Sequence, residues 1–153
     1  LEKLQIILPS GSIISAKDIE ENIGFSKDFN IFELRKAIGE RNQLKSYKIA
    51  QYFSDNPKDH PMVMTTGLIF SFFIQIFQYH GLKDKNPKNV AAVLKVNPFF
   101  LKDYDVALKN YPMKKVSQIV ALLRDIDVKS KGVGANAMPQ HDLLKEMLVG
   151  IFN

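Results

Sequence analysis

The sequence contains no cysteine. A disulfide framework, a thiolate metal site and a cysteine nucleophile are therefore excluded, and the composition suits a reducing compartment. Arginine is scarce, standing only at positions 35, 41 and 124, so the net charge of +5 rests mainly on lysine. An excess of that size permits contact with phosphate without demanding it. Histidine occurs three times, as His60, His80 and His141, and none has the HExxH or a similar spacing that a metal site needs. None of the eight glycines sits in the Gly-Lys-Ser/Thr context of a nucleotide-binding loop. Gly132-Val133-Gly134 reads only as a flexible turn after a helix. Asp103 with Asp105, and Asp125 with Asp127, are neighbours in sequence, but residues two apart on a helix point in different directions. They suit solvated faces or ion pairs, not an acid–base pair. No segment sustains an alternation of period two, so no sheet is expected. These absences describe a non-catalytic, all-α chain with no cofactor and no metal.

The dominant feature that is present is PMVMTTGLIFSFFIQIFQY, Pro61 to Tyr79, which carries no charged residue and has a histidine at each end. Burying each of its large apolar side chains is worth about 1.5–3 kcal/mol. Pro61 suits a first helical position and Gly81 a stop. Gly67, Ser71, Gln75 and Gln78 follow at spacings that place them on one face of a helix. The stretch reads as a central helix, apolar on most sides, with one narrow polar strip. Its length approaches the roughly 20 apolar residues of a membrane span. The two glutamines, the Thr65-Thr66-Gly67 step and amphipathic flanks favour a core helix without membrane contact. Gly67-x-x-x-Ser71 has the small-residue spacing that lets helices approach closely.

The rest of the chain follows a helical grammar. Leu1, Leu4, Ile7 and Leu8 form an apolar face that is already running at the first residue, so the chain is expected to be a fragment opening inside a helix, and no signal peptide is read there. Ser15 and Asp18 have capping-box-like spacing, Ile14 and Ile19 can staple, and Gly24 is a stop. Asn30 and Glu33 repeat the pattern, with Phe29 and Leu34 as staple and Gly39 at the end. A third helix, from about 43 to 53, carries Leu44, Tyr47, Ala50 and Phe53. Ser54-Asp55-Asn56-Pro57-Lys58 is the best boundary, being polar and proline-containing between two apolar patterns. Asn86-Pro87 and Asn97-Pro98 each pair a cap with a proline at the first helical position. The second of these opens a helix running to about Asn110, lined by Phe100, Tyr104, Ala107, Leu108 and Tyr111. A long helix then turns Met113, Val116, Ile119, Val120, Leu123 and Ile126 inward. Lys129 and Lys131 lie at its C-terminal end, where the dipole favours cations, and Gly132 stops it. Residues 132–141 read as a loop, and a last helix carries Leu143, Leu144, Met147, Leu148 and Ile151 on one face.

The segments IGFSKDFNIFELRKAIGERNQLKSYKIAQYF, NVAAVLKVNPFFLKDYDVALKNY, VSQIVALLRDIDVKSKG and DLLKEMLVGIF, in that order, resemble the delta subunit of the bacterial DNA polymerase III clamp loader. The resemblance runs over essentially the whole chain. It rests on Phe32, Leu34, Ala37 and Ile38, then Tyr104 and Ala107, then Leu123, Arg124, Asp127, Lys131 and Gly132, whose order together is more specific than any one of them. It implies the C-terminal two domains of a subunit related to the AAA+ fold. Residues 1–54 match a small three-helix lid, and residues 58–153 match a helical collar of about five helices that joins the subunit to others in a ring. The N-terminal clamp-binding domain is absent from this fragment. The implied role is that of a non-catalytic, cytoplasmic subunit in DNA replication. Its partners are the other clamp-loader subunits through the collar, the sliding clamp through the missing domain, and DNA in the full complex. On this reading Gly67, Ser71, Gln75 and Gln78 lie at a subunit contact. The rival is that Ser71 and Gln75 bond neighbouring helices within the collar.

An alternative role is DNA binding by a helix-turn-helix-like pair at residues 87–110. Against it, the second helix opens with Phe99-Phe100-Leu101 and carries Asp103 and Asp105, where base readout favours Arg, Asn, Gln or Lys. The apolar residues there are expected to be buried and the acidic ones repelled by phosphate.

Overall fold

The computed structural model describes residues 29–132 and 138–153. Among these residues the structure is all-α and has no strand. Seven helices follow in order: α1 (Ile31–Gly39), α2 (Gln43–Asp55), α3 (Met62–Gly81), α4 (Pro87–Leu94), α5 (Leu101–Asn110), α6 (Met113–Ser130) and α7 (Gln140–Phe152). A short 3-10 turn, Pro98–Phe100, leads into α5. The elements read at 1–24, and the part of the 132–141 loop at 133–137, lie outside the described residues.

Asparagine starts four of the elements. The side chains of Asn30, Asn42, Asn86 and Asn97 accept hydrogen bonds from the amides of Glu33, Lys45, Lys88 and Phe99, at 2.9–3.1 Å. Each such cap satisfies one of the amides that a helix start leaves without a partner. Pro61 stands one position earlier than expected, as an extended cap before α3. Among the described residues two non-glycines take the left-handed conformation: Arg41 between α1 and α2 (φ 55°) and Lys95 after α4 (φ 57°). Gly132, past the end of α6, has φ 71°.

The centre of the bundle is α3, which packs along α6 and also meets α1, α4 and α5. Its Ile69, Phe73 and Ile76 are fully enclosed. The other large interfaces pair α2 with α7, α1 with α2, and α6 with α7. One buried cluster runs through them all: Leu34 and Ile38 of α1, Ile49 and Phe53 of α2, Phe72 and Phe73 of α3, Tyr104 of α5, Leu123 of α6 and Leu148 of α7. The polar segment 54–58 is thus a turn between helices that share a core. Polar ties cross the same turn. Gln140 on α7 donates to the carbonyls of Phe53 (3.2 Å) and His60 (2.8 Å). The Tyr111 hydroxyl donates to Ile38 O at 2.6 Å, Asn110 Nδ2 to Gly39 O at 2.9 Å, and Arg41 Nη2 to Phe152 O at 2.9 Å. Carbonyls at the ends of α1 and α7 therefore find donors from elsewhere in the bundle.

Some expected core positions lie outside. Leu44 is 82% exposed, because Ser46, Ile49, Ala50 and Phe53 define the buried face of α2 and position 44 falls off that helical stripe. Met113 is 43% exposed; it begins α6, one turn ahead of Val116, the first buried position. Phe99 and Phe100, expected inside, are 73% and 47% exposed, because the 3-10 turn carries them past the end of the core-facing helix. The outward side of α3 is also less polar than the sequence suggests, since Val63, Met64 and Phe77 share it.

Candidate functional site

The outward side of α3 carries Gly67, Ser71 and Gln78 in exposed positions and Gln75 half-buried. Above Gly67, Ser71 and Gln75 lies an open groove of about 800 Å³. Its floor is α3, one wall is Phe32 and Arg35 of α1, and the other is Lys95, Val96, Asn97, Phe100 and Tyr104. Gln78 is not part of this lining.

The groove follows from local choices. Gly67 and Ser71 present almost no bulk, and a Cβ added at Gly67 would meet nothing within 4 Å. The left-handed Lys95 turns the chain at the end of α4, with Val96 N donating to Ala91 O. Asn97 then caps the 3-10 turn and lifts Phe99 and Phe100 away from α3. The result is a gap over small residues, walled by aromatic rings.

Gln75 ties the floor to one wall. Its Nε2 donates to Leu94 O at 2.9 Å, and its Oε1 accepts from the Tyr104 hydroxyl at 3.0 Å. Both ends of the amide are thus engaged within the bundle. Opposite stands Arg35, whose guanidinium lies 5.3 Å from the Phe32 ring, 5.7 Å from Phe72 and 5.8 Å from Tyr104. Such contacts fix the planar group by cation–π attraction. Among the described residues Arg35 has no ion-pair partner. Burial raises the Tyr104 phenol above its ordinary pKa; the Arg35 charge opposes this and Asp103 adds to it.

Gly67 and Ser71 also border a second, smaller groove of about 390 Å³ on the other side of the α3 strip, with Val63, Thr66, Phe70, Arg124, Asp127 and Lys131. There Lys131 Nζ pairs with Asp127 at 2.9 Å. Beneath it the Thr66 hydroxyl is buried without a hydrogen-bond partner among the described residues.

The remaining polar candidates have structural surroundings. The His60 ring stacks on Phe53 at 4.0 Å, and His80 Nε2 lies 2.7 Å from Tyr111 O. His141 is exposed. Asp105 accepts from the Tyr79 hydroxyl. Burial comes first, and that bond second, in pushing the Tyr79 phenol up to about 12. Lys129 joins Asp125 (3.2 Å) and Glu146 (2.8 Å), linking α6 to α7. No group of three His, Cys, Asp or Glu among the described residues could hold a metal ion. The helix pair at 87–110 is present, but Leu101, Tyr104 and Ala107 of α5 are buried against the bundle, and the outward residues of its first turn are Lys102 and the partly exposed Asp103. Of the side chains that read bases, that first turn offers one lysine and no Arg, Asn or Gln.

Fold and site together define an all-α bundle with an aromatic, cation-edged groove floored by its central helix. The chain belongs to the family described as DNA polymerase III delta subunit, C-terminal domain, whose model matches residues 28–148. Comparison with curated proteins and with solved structures gave no match. Phe32, Arg35, Lys95 and Phe100 were not singled out as site residues by the sequence. The signal available for them was the Gly67-x-x-x-Ser71 spacing, which marks a place where something approaches closely, and the Phe-Phe pair after an Asn-Pro start.

Proposed function

We propose that this chain is the assembly part of a clamp-loader subunit in DNA replication. It carries no reaction of its own and joins neighbouring subunits, in the cytoplasm, through the outward side of α3. Gly67, Ser71, Gln75 and Gln78 lie at or beside that contact. The sliding clamp is engaged by a domain outside this sequence, and DNA is met in the full complex. Family membership over residues 28–148 supports the subunit role. The observation that carries the contact is a mid-helix glycine, Gly67, with open space where its side chain would point. The bundle's own packing does not require it there, and glycine in a helix costs about 0.5–1 kcal/mol relative to alanine.

The sequence reading divides the chain into a lid at 1–54 and a collar at 58–153. Because α1 and α2 share their core with α3–α7, we place residues 31–55 with the collar and confine the lid-like part to residues before them. Gln75 serves inside the bundle, as the rival reading has it for this residue, so it is a poor probe of the contact. Ser71→Arg and Gln78→Arg are better, since both positions are exposed. Each is expected to leave the circular dichroism spectrum and melting temperature unchanged while weakening assembly with the other clamp-loader subunits in gel filtration. Unchanged assembly by both variants would remove the α3 contact.

A further inference from the structure

We propose that the groove over α3 receives an acidic amphipathic helix of a neighbouring clamp-loader subunit, with a carboxylate on Arg35 and a large apolar side chain between Phe32 and Phe100. This rests on the assembly reading above and names the chemistry of the partner.

The charge argument comes first. The groove is edged by Arg35 on one wall and Lys95 on the other, and among the described residues no acidic one lines it. Arg35 is held against three rings and lacks a carboxylate within ion-pair distance among the described residues. A guanidinium already fixed in place loses little freedom on pairing, and its planar fork matches a carboxylate with two parallel hydrogen bonds.

The apolar argument is independent of charge. Phe32 is 56% and Phe100 47% exposed on facing walls, a costly arrangement in water that marks contact surfaces. Aromatic and arginine side chains around a pocket are also the usual centres of binding energy between proteins.

Shape selects a helix. The floor presents Gly67 and Ser71 four residues apart, with nothing within 4 Å of a Cβ built at Gly67, the spacing that allows a second helix backbone to lie close. Stacked nucleic-acid bases fit less well, because a cation or a neighbouring ring already lies against one side of these rings. Arg35 covers Phe32, Lys102 Nζ sits 5.7 Å over Phe99, and Phe99 and Phe100 meet edge to face at 5.4 Å.

The test titrates the chain and its variants with each of the other clamp-loader subunits, purified separately from the same organism. Circular dichroism and thermal melts verify that every variant is folded. Arg35→Glu and Lys95→Glu are each expected to weaken binding by about tenfold or more, as charge reversal beside a buried contact does; Arg35→Lys retains part of the affinity. Lys95 is exposed, so its variant keeps the test available if Arg35→Glu fails to fold. A photoreactive benzophenone amino acid at position 100 is expected to cross-link into an acidic helix of the neighbour. Cross-links to a second copy of this chain, to residues 1–28 of the same chain, or to an added single-stranded oligonucleotide overturn the proposal, as does unchanged affinity of the folded variants. If Gln78→Arg blocks assembly while the Arg35 and Lys95 variants bind normally, the α3 contact stands and the groove inference falls. If the unaltered chain binds no subunit, the assembly reading falls and takes the groove with it.

Discussion

Tyr79, Tyr104 and Tyr111 show how single side chains hold this bundle. Each is nearly or fully enclosed, and each hydroxyl donates to a fixed acceptor: Asp105, Gln75 and Ile38 O. Burial is the largest cause raising all three phenols, with Tyr79 pushed from 10.0 up to about 12. A phenol whose folded pKa is raised stays protonated in the folded chain after it has ionised in the unfolded one. The folded state then holds more protons, so stability falls as pH rises. Lys129, raised by its bonds to Glu146 and Asp125, acts in the same direction, since its ion pairs vanish when it deprotonates. We predict that the urea midpoint of unfolding drops between about pH 10 and pH 12, with the tyrosinate absorbance of these three residues appearing together with the loss of helical signal. Ionisation of all five tyrosines completed near pH 10 with the helices intact would contradict this.

At the scale of elements, α3 combines two demands. Its inner side must fill the core, and its outer side carries small and polar residues together with exposed Val63 and Phe77. Gly67 separates these demands experimentally. Nothing lies within 4 Å of a Cβ there, and alanine is the better helix former by about 0.8–1 kcal/mol. Gly67→Ala is therefore predicted to stabilise the isolated chain by up to that amount in urea unfolding, while weakening assembly if a neighbouring helix lies on it. Gly150 offers the contrast. A Cβ at that position would stand 2.3 Å from Leu122 Cδ2, so there the close approach is between α7 and α6 of the same chain. One glycine is explained by the bundle's own packing and the other is not.

At the scale of the whole molecule, α1 and α2 are structural members of the bundle. Leu34, Ile38, Ile49 and Phe53 are 0% exposed within the shared core. Deleting residues 1–57 would uncover the faces of α3, α5 and α7 against which these side chains pack. A chain starting at Lys58 is predicted to lose cooperative thermal unfolding and to bind a hydrophobic dye. A sharp melt near that of the full chain would show that residues 58–153 fold alone.

The sequence by itself determined the helices and their faces. Asparagine caps, glycine and proline stops and a helical apolar period are local signals, and they placed α3, α6 and α7 with their buried residues almost as observed. They failed where local pattern and packing diverge. Leu44 has the right chemistry for a core but stands off the buried stripe. Phe99 and Phe100 extend an apolar run yet are carried outward by the 3-10 turn at Pro98–Phe100, which follows the left-handed Lys95. At 54–58 polarity and proline mark an exposed turn, and those signals do not say whether the helices on either side share a core. Only the tertiary structure decided that they do, and only it brought Arg35, some thirty residues before Gly67 in the chain, to the wall of a groove over that helix. Helix formation depends on neighbours three and four residues away. A groove depends on which helices pack side by side, and no local periodicity encodes that choice.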